Sequence, residues 1–275
     1  MKTLYLECHM GAAGDMLMGA LLELLPDPDA FLETINSIGL PGVEIQAEPS
    51  VKCGITGTHI SVKIHGEEEH SEDHHHSDDV HVHAHSHQDT PVPSHSHTHK
   101  HHHHCHRGMA EILEILEHLN VTEEVKKDVK QIYQLIAKAE GQVHGKEVSE
   151  IHFHEVGTLD AIADITGCVM LFHQLGAEQI VVSPVSTGFG QVHCAHGILP
   201  VPAPATALLL TGIPCKAGSV QGELCTPTGA ALLKYFATSY GQMPEMVMEK
   251  IGYGMGAKDF QAANCVRAIL GEANE

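Results

Sequence analysis

Residues 151–167 read IHFHEVGTLDAIADITG, and this stretch changes character halfway along. His152 and His154 alternate with apolar neighbours, as in an extended strand whose successive side chains face opposite ways. From Thr158 the spacing becomes helical: Thr158 is a capping residue, and Asp160 and Asp164 fall four apart on one helix face. A strand running through a short turn into a helix predicts α/β or α+β architecture, and the rest of the chain repeats it. Leu4–Leu6 reads as a short strand and Asp15–Leu25 as a helix closed by Pro26, with a second helix after Asp29. VEIQAEPSVKCGITGTHISVKIH, residues 43–65, alternates like a β-hairpin. RGMAEILEILEHLN (107–120) and TEEVKKDVKQIYQLIAKAEG (122–141) have helical spacing, with ends expected near Asn120 and Gly141. After Ser149 strands, helices and Gly/Pro turns alternate to the end.

Between the hairpin and those helices lies a run of different composition. Residues 65–106 hold 17 histidines and eight acids, with almost no aliphatic side chains. Such a run cannot bury apolar area and is expected to be disordered without metal. The chain thus divides into an N-terminal α/β segment (1–65), a disordered His-rich metal-binding loop (66–106) and an α/β portion completing the core (107–275). Neutral imidazole is a good ligand for nickel, copper, zinc and cobalt. The candidate loop ligands are His74, His75, His76, His81, His83, His85, His87, His95, His97, His99, His101, His102, His103, His104 and His106. Many overlapping, near-equivalent sites favour capture and hand-over rather than rigid structural binding, which needs fixed geometry.

Composition narrows the partners. The formal net charge is −20, with 15 basic residues against 35 acidic ones, and no basic patch stands out. Nucleic acid and anionic membrane surfaces are therefore not expected partners. No apolar run approaches the ~20 residues that span a bilayer, and the start of the chain does not read as a signal peptide. The eight cysteines are scattered with no CxxC pair, a pattern of reduced thiols and a cytoplasmic location.

Chemistry-bearing residues gather in four stretches. In 151–167, His152, His154, Glu155, Asp160 and Asp164 suit a divalent cation or acid/base work, and equally a core histidine beside capping or solvated acids. In GQVHCAHGILPVPAPATALLL (190–210), His193, Cys194 and His196 precede three prolines and a helix. His196 is a candidate ligand and Cys194 either a soft ligand or an ordinary thiol. In LECHMGAAGDM (6–16), Gly11, Gly14 and Asp15 sit where a helix N-terminus can face an anion, although Asp15 also suits a cap. In ELCTPTGAALL (223–233), Thr226 and Thr228 suit a phosphate or a cap. No P-loop occurs, which excludes the nickel accessory GTPases.

Taken in order, GAAGDMLMGALL, IHFHEVGTLDAIADITG, CAHGILPVPAPAT, GELCTPTGAALL and IGYGMGAKDF resemble the LarC nickel-insertion proteins over nearly the whole chain outside the histidine run. The resemblance implies insertion of Ni²⁺ into pyridinium-3,5-bisthiocarboxylic acid mononucleotide, forming the nickel-pincer nucleotide of lactate racemase-type enzymes. It also implies CTP with Mg²⁺ or Mn²⁺, and a nickel-pincer-dependent enzyme as recipient. Because members of this family often run on past VRAILGE, a separately encoded C-terminal portion is a further expected partner. A metal–carbon bond requires loss of a ring proton, and Glu155 or a neighbouring histidine is the candidate base. Two other classes compete: a nickel or zinc store without chemistry, for which the loop alone would suffice, and a metal-dependent hydrolase using His152, His154 and Asp164.

Overall fold

The computed structural model describes residues 1–68, 107–153, 155–194 and 196–274, and of Glu68 and Glu155 the backbone alone. The loop histidines from His74 to His106 and His154 therefore lie outside the described residues.

The chain opens with β1 (Lys2–Glu7), α1 (Gly14–Leu22), α2 (Pro28–Asn36), and the hairpin β2 (Val43–Lys52) and β3 (Ile55–Ile64). α1 starts one residue before Asp15 and stops three before Leu25. Its end tightens into i→i+3 bonds, Leu24 to Leu21 at 3.1 Å and Leu25 to Leu22 at 3.1 Å, ahead of Pro26. Two short strands, β4 (Glu67–Glu68) and β5 (Arg107–Gly108), flank the undescribed segment. Then come α3 (Met109–His118), α4 (Glu123–His144), β6 (His152–Phe153) and α5 (Leu159–Leu175). α4 runs through Gly141 and ends at Gly145, whose φ of 62° is the left-handed cap conformation. Thr158 caps α5 as expected, accepting from the Ala161 N–H at 3.2 Å.

The rest is mostly short strands: β7 (Gln179–Val182), β8 (Val185–Ser186), β9 (Gly188–Phe189), the hairpin β10 (Gln191–Cys194) and β11 (Gly197–Pro200), then α6 (Pro204–Leu209). β12 (Cys215–Lys216), β13 (Gly222–Glu223), α7 (Pro227–Phe236), β14 (Ser239–Tyr240), β15 (Met246–Met255) and β16 (Cys265–Ala273) complete it.

One mixed sheet joins both halves of the chain in the order β14-β7-β1-β16-β15-β3-β2, with β4 beside β3. β1 is antiparallel to β16 and parallel to β7, so the first strand sits inside the sheet and strands that follow the histidine run flank it on both sides. Leu4, Leu6, Ile180, Val182, Val266, Ala268 and Leu270 face one side and pack with α1, α4 and α5 in a single core. The other side carries a small cluster of Tyr5, Val181 and Ile269 and an ion pair between Glu7 and Arg267.

Backbone approach, rather than side-chain bulk, seats α1 on β15. A Cβ on Gly254 would lie 1.7 Å from the Met16 carbonyl oxygen, and one on Gly252 would lie 2.2 Å from that of Ala20. The IGYG stretch is thus a glycine groove for the first helix, and Gly19 matches it from the helix side: a Cβ there would lie 3.1 Å from the Gly254 Cα and 2.6 Å from the Thr58 carbonyl oxygen of β3.

Candidate functional site

Two places draw the sequence motifs together. The first is the start of α1. Its N-cap is Ala13, so Asp15 lies inside the first turn rather than at the cap. Asp164 reaches over from α5 and accepts a hydrogen bond from the Asp15 backbone N–H. Space is tight: a Cβ on Gly14 would lie 2.4 Å from Asp164 Oδ2. The Cys168 thiol, one turn further along α5, donates to the Gly14 carbonyl at 3.3 Å. Asp164 is only 7% exposed, and its Oδ1 has no hydrogen-bond partner among the described residues. Burial first, then the neighbouring Asp160 and Asp15, push its carboxyl well above the usual carboxylate range. Burial raises Asp15 as well, against the opposing pull of its backbone hydrogen bonds and of His59. A pair of acids so placed holds a proton more readily than two charges.

This placement has a stability consequence. An Asp that ionises near ~3.9 when unfolded and much higher when folded contributes most below that lower value. The contribution is lost as pH rises towards the folded value. Asp164→Asn keeps an acceptor for the Asp15 N–H and removes the ionisation. Thermal melts from about pH 4 to about pH 8 should show the variant more stable near neutrality by at least ~3 °C. The gap should close on acidification; a gap that widens on acidification would contradict the assignment.

The start of α7 packs directly against the same loop. Ala12 donates to the Leu224 carbonyl at 3.1 Å, and the Thr226 N–H returns to the Ala12 carbonyl at 3.0 Å. Gly11, with φ of 78°, allows this approach; a Cβ there would lie 1.9 Å from the Leu224 carbonyl oxygen. Thr226 is the N-cap of α7, accepting from the Gly229 N–H at 3.2 Å, and its hydroxyl lies 2.9 Å from that of Thr228. The helix-start residues Gly11, Gly14, Asp15, Thr226 and Thr228 are therefore neighbours in space.

The second place is a cavity of about 150 Å³. Val156 from the IHFHEVG stretch lines it, with Val192, Cys194, His196, Leu199 and Pro204 from the proline-rich stretch, and Glu223 and Pro227 from GELCTPTG. The fourth wall is the last turns of α4, with Glu140, Val143 and His144. Glu140 and His144 are an i,i+4 pair, with Oε2 and Nε2 3.4 Å apart. The ring of His144 lies against that of His196, with centroids 4.9 Å apart. Burial raises the Glu140 carboxyl above its ordinary range, while both histidines pull it back. Cys194 Sγ is 3.5 Å from the Gly197 carbonyl. The Val201–Pro202 peptide between hairpin and α6 is cis.

Other candidates lie elsewhere or outside the description. His152 is exposed on β6, paired with Gly108 and not on the cavity wall. Asp160 is one turn before Asp164 on α5 and partly buried. Glu155 opens the turn that delivers Val156 to the cavity, and Tyr133 of α4 pins that turn by donating to the Val156 carbonyl at 3.2 Å. Glu140, His144 and Glu223 were not among the sequence candidates. The spacing of Glu140 and His144 in KAEGQVHG was the available signal, but the same spacing is common on solvated helix faces. Among the described residues, no three His, Cys, Asp or Glu side chains are grouped to hold a metal ion by themselves. No described helix is long and apolar enough to cross a membrane.

Comparison with known proteins agrees with these stretches. The model of the family described as "Nickel insertion protein" matches residues 4–275. A pyridinium-3,5-bisthiocarboxylic acid mononucleotide nickel insertion protein of Clostridium kluyveri is 38% identical, covering 99% of this chain and 62% of the relative. Proteins of the same name from Desulfitobacterium hafniense and Acetivibrio thermocellus are each 37% identical, over 99% and 100% of this chain and 59% and 61% of theirs. The chain thus spans about three fifths of the length of these curated relatives. No solved structure matches it significantly. With the family model matched across all but the first three residues, this chain belongs to the nickel insertion protein family.

Proposed function

We propose that this chain inserts Ni²⁺ into pyridinium-3,5-bisthiocarboxylic acid mononucleotide, the activity that the names of its relatives carry. The observation that carries this reading is the convergence of three separate motif stretches on one cavity furnished with two imidazoles, a carboxylate pair and a thiol. Such a donor set suits a borderline divalent metal in transit, with imidazole and thiolate preferred over hard oxygen cages. The neighbouring helix starts at Gly11–Asp15 and Thr226–Thr228, whose dipoles favour negative charge, are the docking point for the anionic end of the nucleotide. Glu155 is the acceptor for the ring proton that leaves as nickel bonds to carbon. CTP with Mg²⁺ or Mn²⁺ drives the step. The histidine run gathers nickel, a nickel-pincer-dependent enzyme receives the product, and a portion equivalent to the remainder of the longer relatives is the further partner.

The test is insertion itself. The chain is mixed with Ni²⁺, Mg²⁺, CTP and the bisthiocarboxylate nucleotide, alone and with the C-terminal portion of the C. kluyveri relative, and nickel-bearing product is read by mass. Product in either mixture supports the reading, and the pair of mixtures says whether the added portion is needed. No product in either contradicts it. Within an active mixture, Glu155→Gln should lower the rate at least ~100-fold at unchanged Ni²⁺ affinity.

A further inference from the structure

Glu140 and His144 stand one turn apart at the end of α4, and His196 is carried by the turn between β10 and β11. We propose that His144 and His196 form a two-imidazole docking point for Ni²⁺, with Glu140 as a positioning residue. This inference rests on the nickel-insertion reading and names where the folded part holds the metal.

Three observations carry it. The first is ring spacing. A metal–imidazole bond of about 2.1 Å, with about 1.2 Å more to the ring centre, puts each centroid ~3.3 Å from the metal. Two such rings bound at 90–109° have centroids about 4.7–5.4 Å apart by that geometry. The His144 and His196 centroids are 4.9 Å apart, already inside this window. The second is the partner of His144. Its Nε2 faces Glu140 Oε2 at 3.4 Å, so a proton on Nε2 donates to the carboxylate and Nδ1 is left with the lone pair. A carboxylate behind a ligating histidine fixes the tautomer and raises ligand basicity. The third is the setting. The pair opens on a cavity walled by Val143, Val156, Val192 and Leu199, and among the described residues no three His, Cys, Asp or Glu side chains are grouped to close around a metal ion. A metal in transit needs that arrangement. Two protein ligands hold it while water, and then the sulfurs of the acceptor, take the remaining positions. A closed four-ligand site would retain the ion.

The experiment uses the whole 275-residue chain with the 16 histidines of residues 70–106 replaced by asparagine, so that they do not mask other sites. Ni²⁺ alone is titrated calorimetrically, and circular dichroism checks the fold of every variant. One equivalent should bind. His144→Ala and His196→Ala should each weaken it at least ~10-fold, and Glu140→Gln by about 10–100-fold. His144→Gln and His196→Gln repeat the test with bulk retained. Proton NMR of the Ni²⁺ form should show two shifted, exchangeable imidazole N–H signals. Glu140→Gln should speed exchange of the His144 signal and spare that of His196, which a purely structural effect would not do. Absence of stoichiometric binding, or affinity unchanged in both histidine variants, overturns the site. The insertion assay is separate: variants that insert normally without this binding remove the site and leave the function, whereas binding without any insertion removes the function and leaves the site.

Discussion

Gly254→Ala is expected to cost at least about 3 kcal/mol of folding stability, a large share of the about 5–15 kcal/mol that holds a native protein together. The added Cβ would sit 1.7 Å from the Met16 carbonyl oxygen and 2.6 Å from the Ala20 backbone nitrogen. Neither is a side chain that can rotate away. Relief requires α1 to lift off β15, and α1 contributes Met16, Leu17, Met18, Leu21 and Leu22 to the core. It also carries the Gly11–Asp15 loop on which α7 and Asp164 rest. Gly54→Ala is the contrasting variant. Gly54 has φ of 81° with nothing within 4 Å, so it should lose only the left-handed penalty of about 1–2 kcal/mol. Urea unfolding of both variants checks the pair. Equal losses would mean that the helix can move at little cost.

Much of this architecture is legible in the residues because local and tertiary preferences agree. The 43–65 alternation pairs in the expected hairpin, with its turn at Cys53 and Gly54. Thr158 and Thr226 cap the helices they precede. The departures have local causes. α1 ends early because its last turn tightens before Pro26. α4 outlasts Gly141, whose missing side chain is used for close approach: a Cβ there would lie 2.8 Å from the Lys146 carbonyl oxygen. Parallel pairing of β1 with β7, about 175 residues later, has no local signature, because a strand's pattern shows its faces and not its neighbours.

The site divides in the same way. His196 and Cys194 stand out by type and by the glycine and prolines that follow them. Glu140 and His144 do not, because an acid and a histidine at i,i+4 near a helix end look the same whether they face water or a cavity. Only the fold of the β10–β11 hairpin against α4 separates the two cases. Asp164 is the reverse case. It has the residue type of a ligand, and the fold buries it at the start of α1 as an acceptor for a backbone N–H.

Filling the cavity should stop the chemistry without unfolding the protein. Val192 lies on β10 opposite Leu199, partly buried, with its side chain on the wall of the 150 Å³ cavity. In Val192→Trp an indole takes up much of that space, while the hairpin, at the margin of the main core, should keep stability within about 1 kcal/mol. The central claim is that nickel meets the nucleotide in this cavity. Its most direct test is the rate of nickel-bearing product formation at saturating Ni²⁺, CTP and nucleotide, compared between the unaltered chain and Val192→Trp in whichever mixture is active. A loss of at least ~100-fold with an unchanged melting temperature is the predicted result, because misplacing reactants by about an ångström already costs that much. An unchanged rate in a variant whose cavity is filled would contradict the account and move the reaction to another part of the molecule.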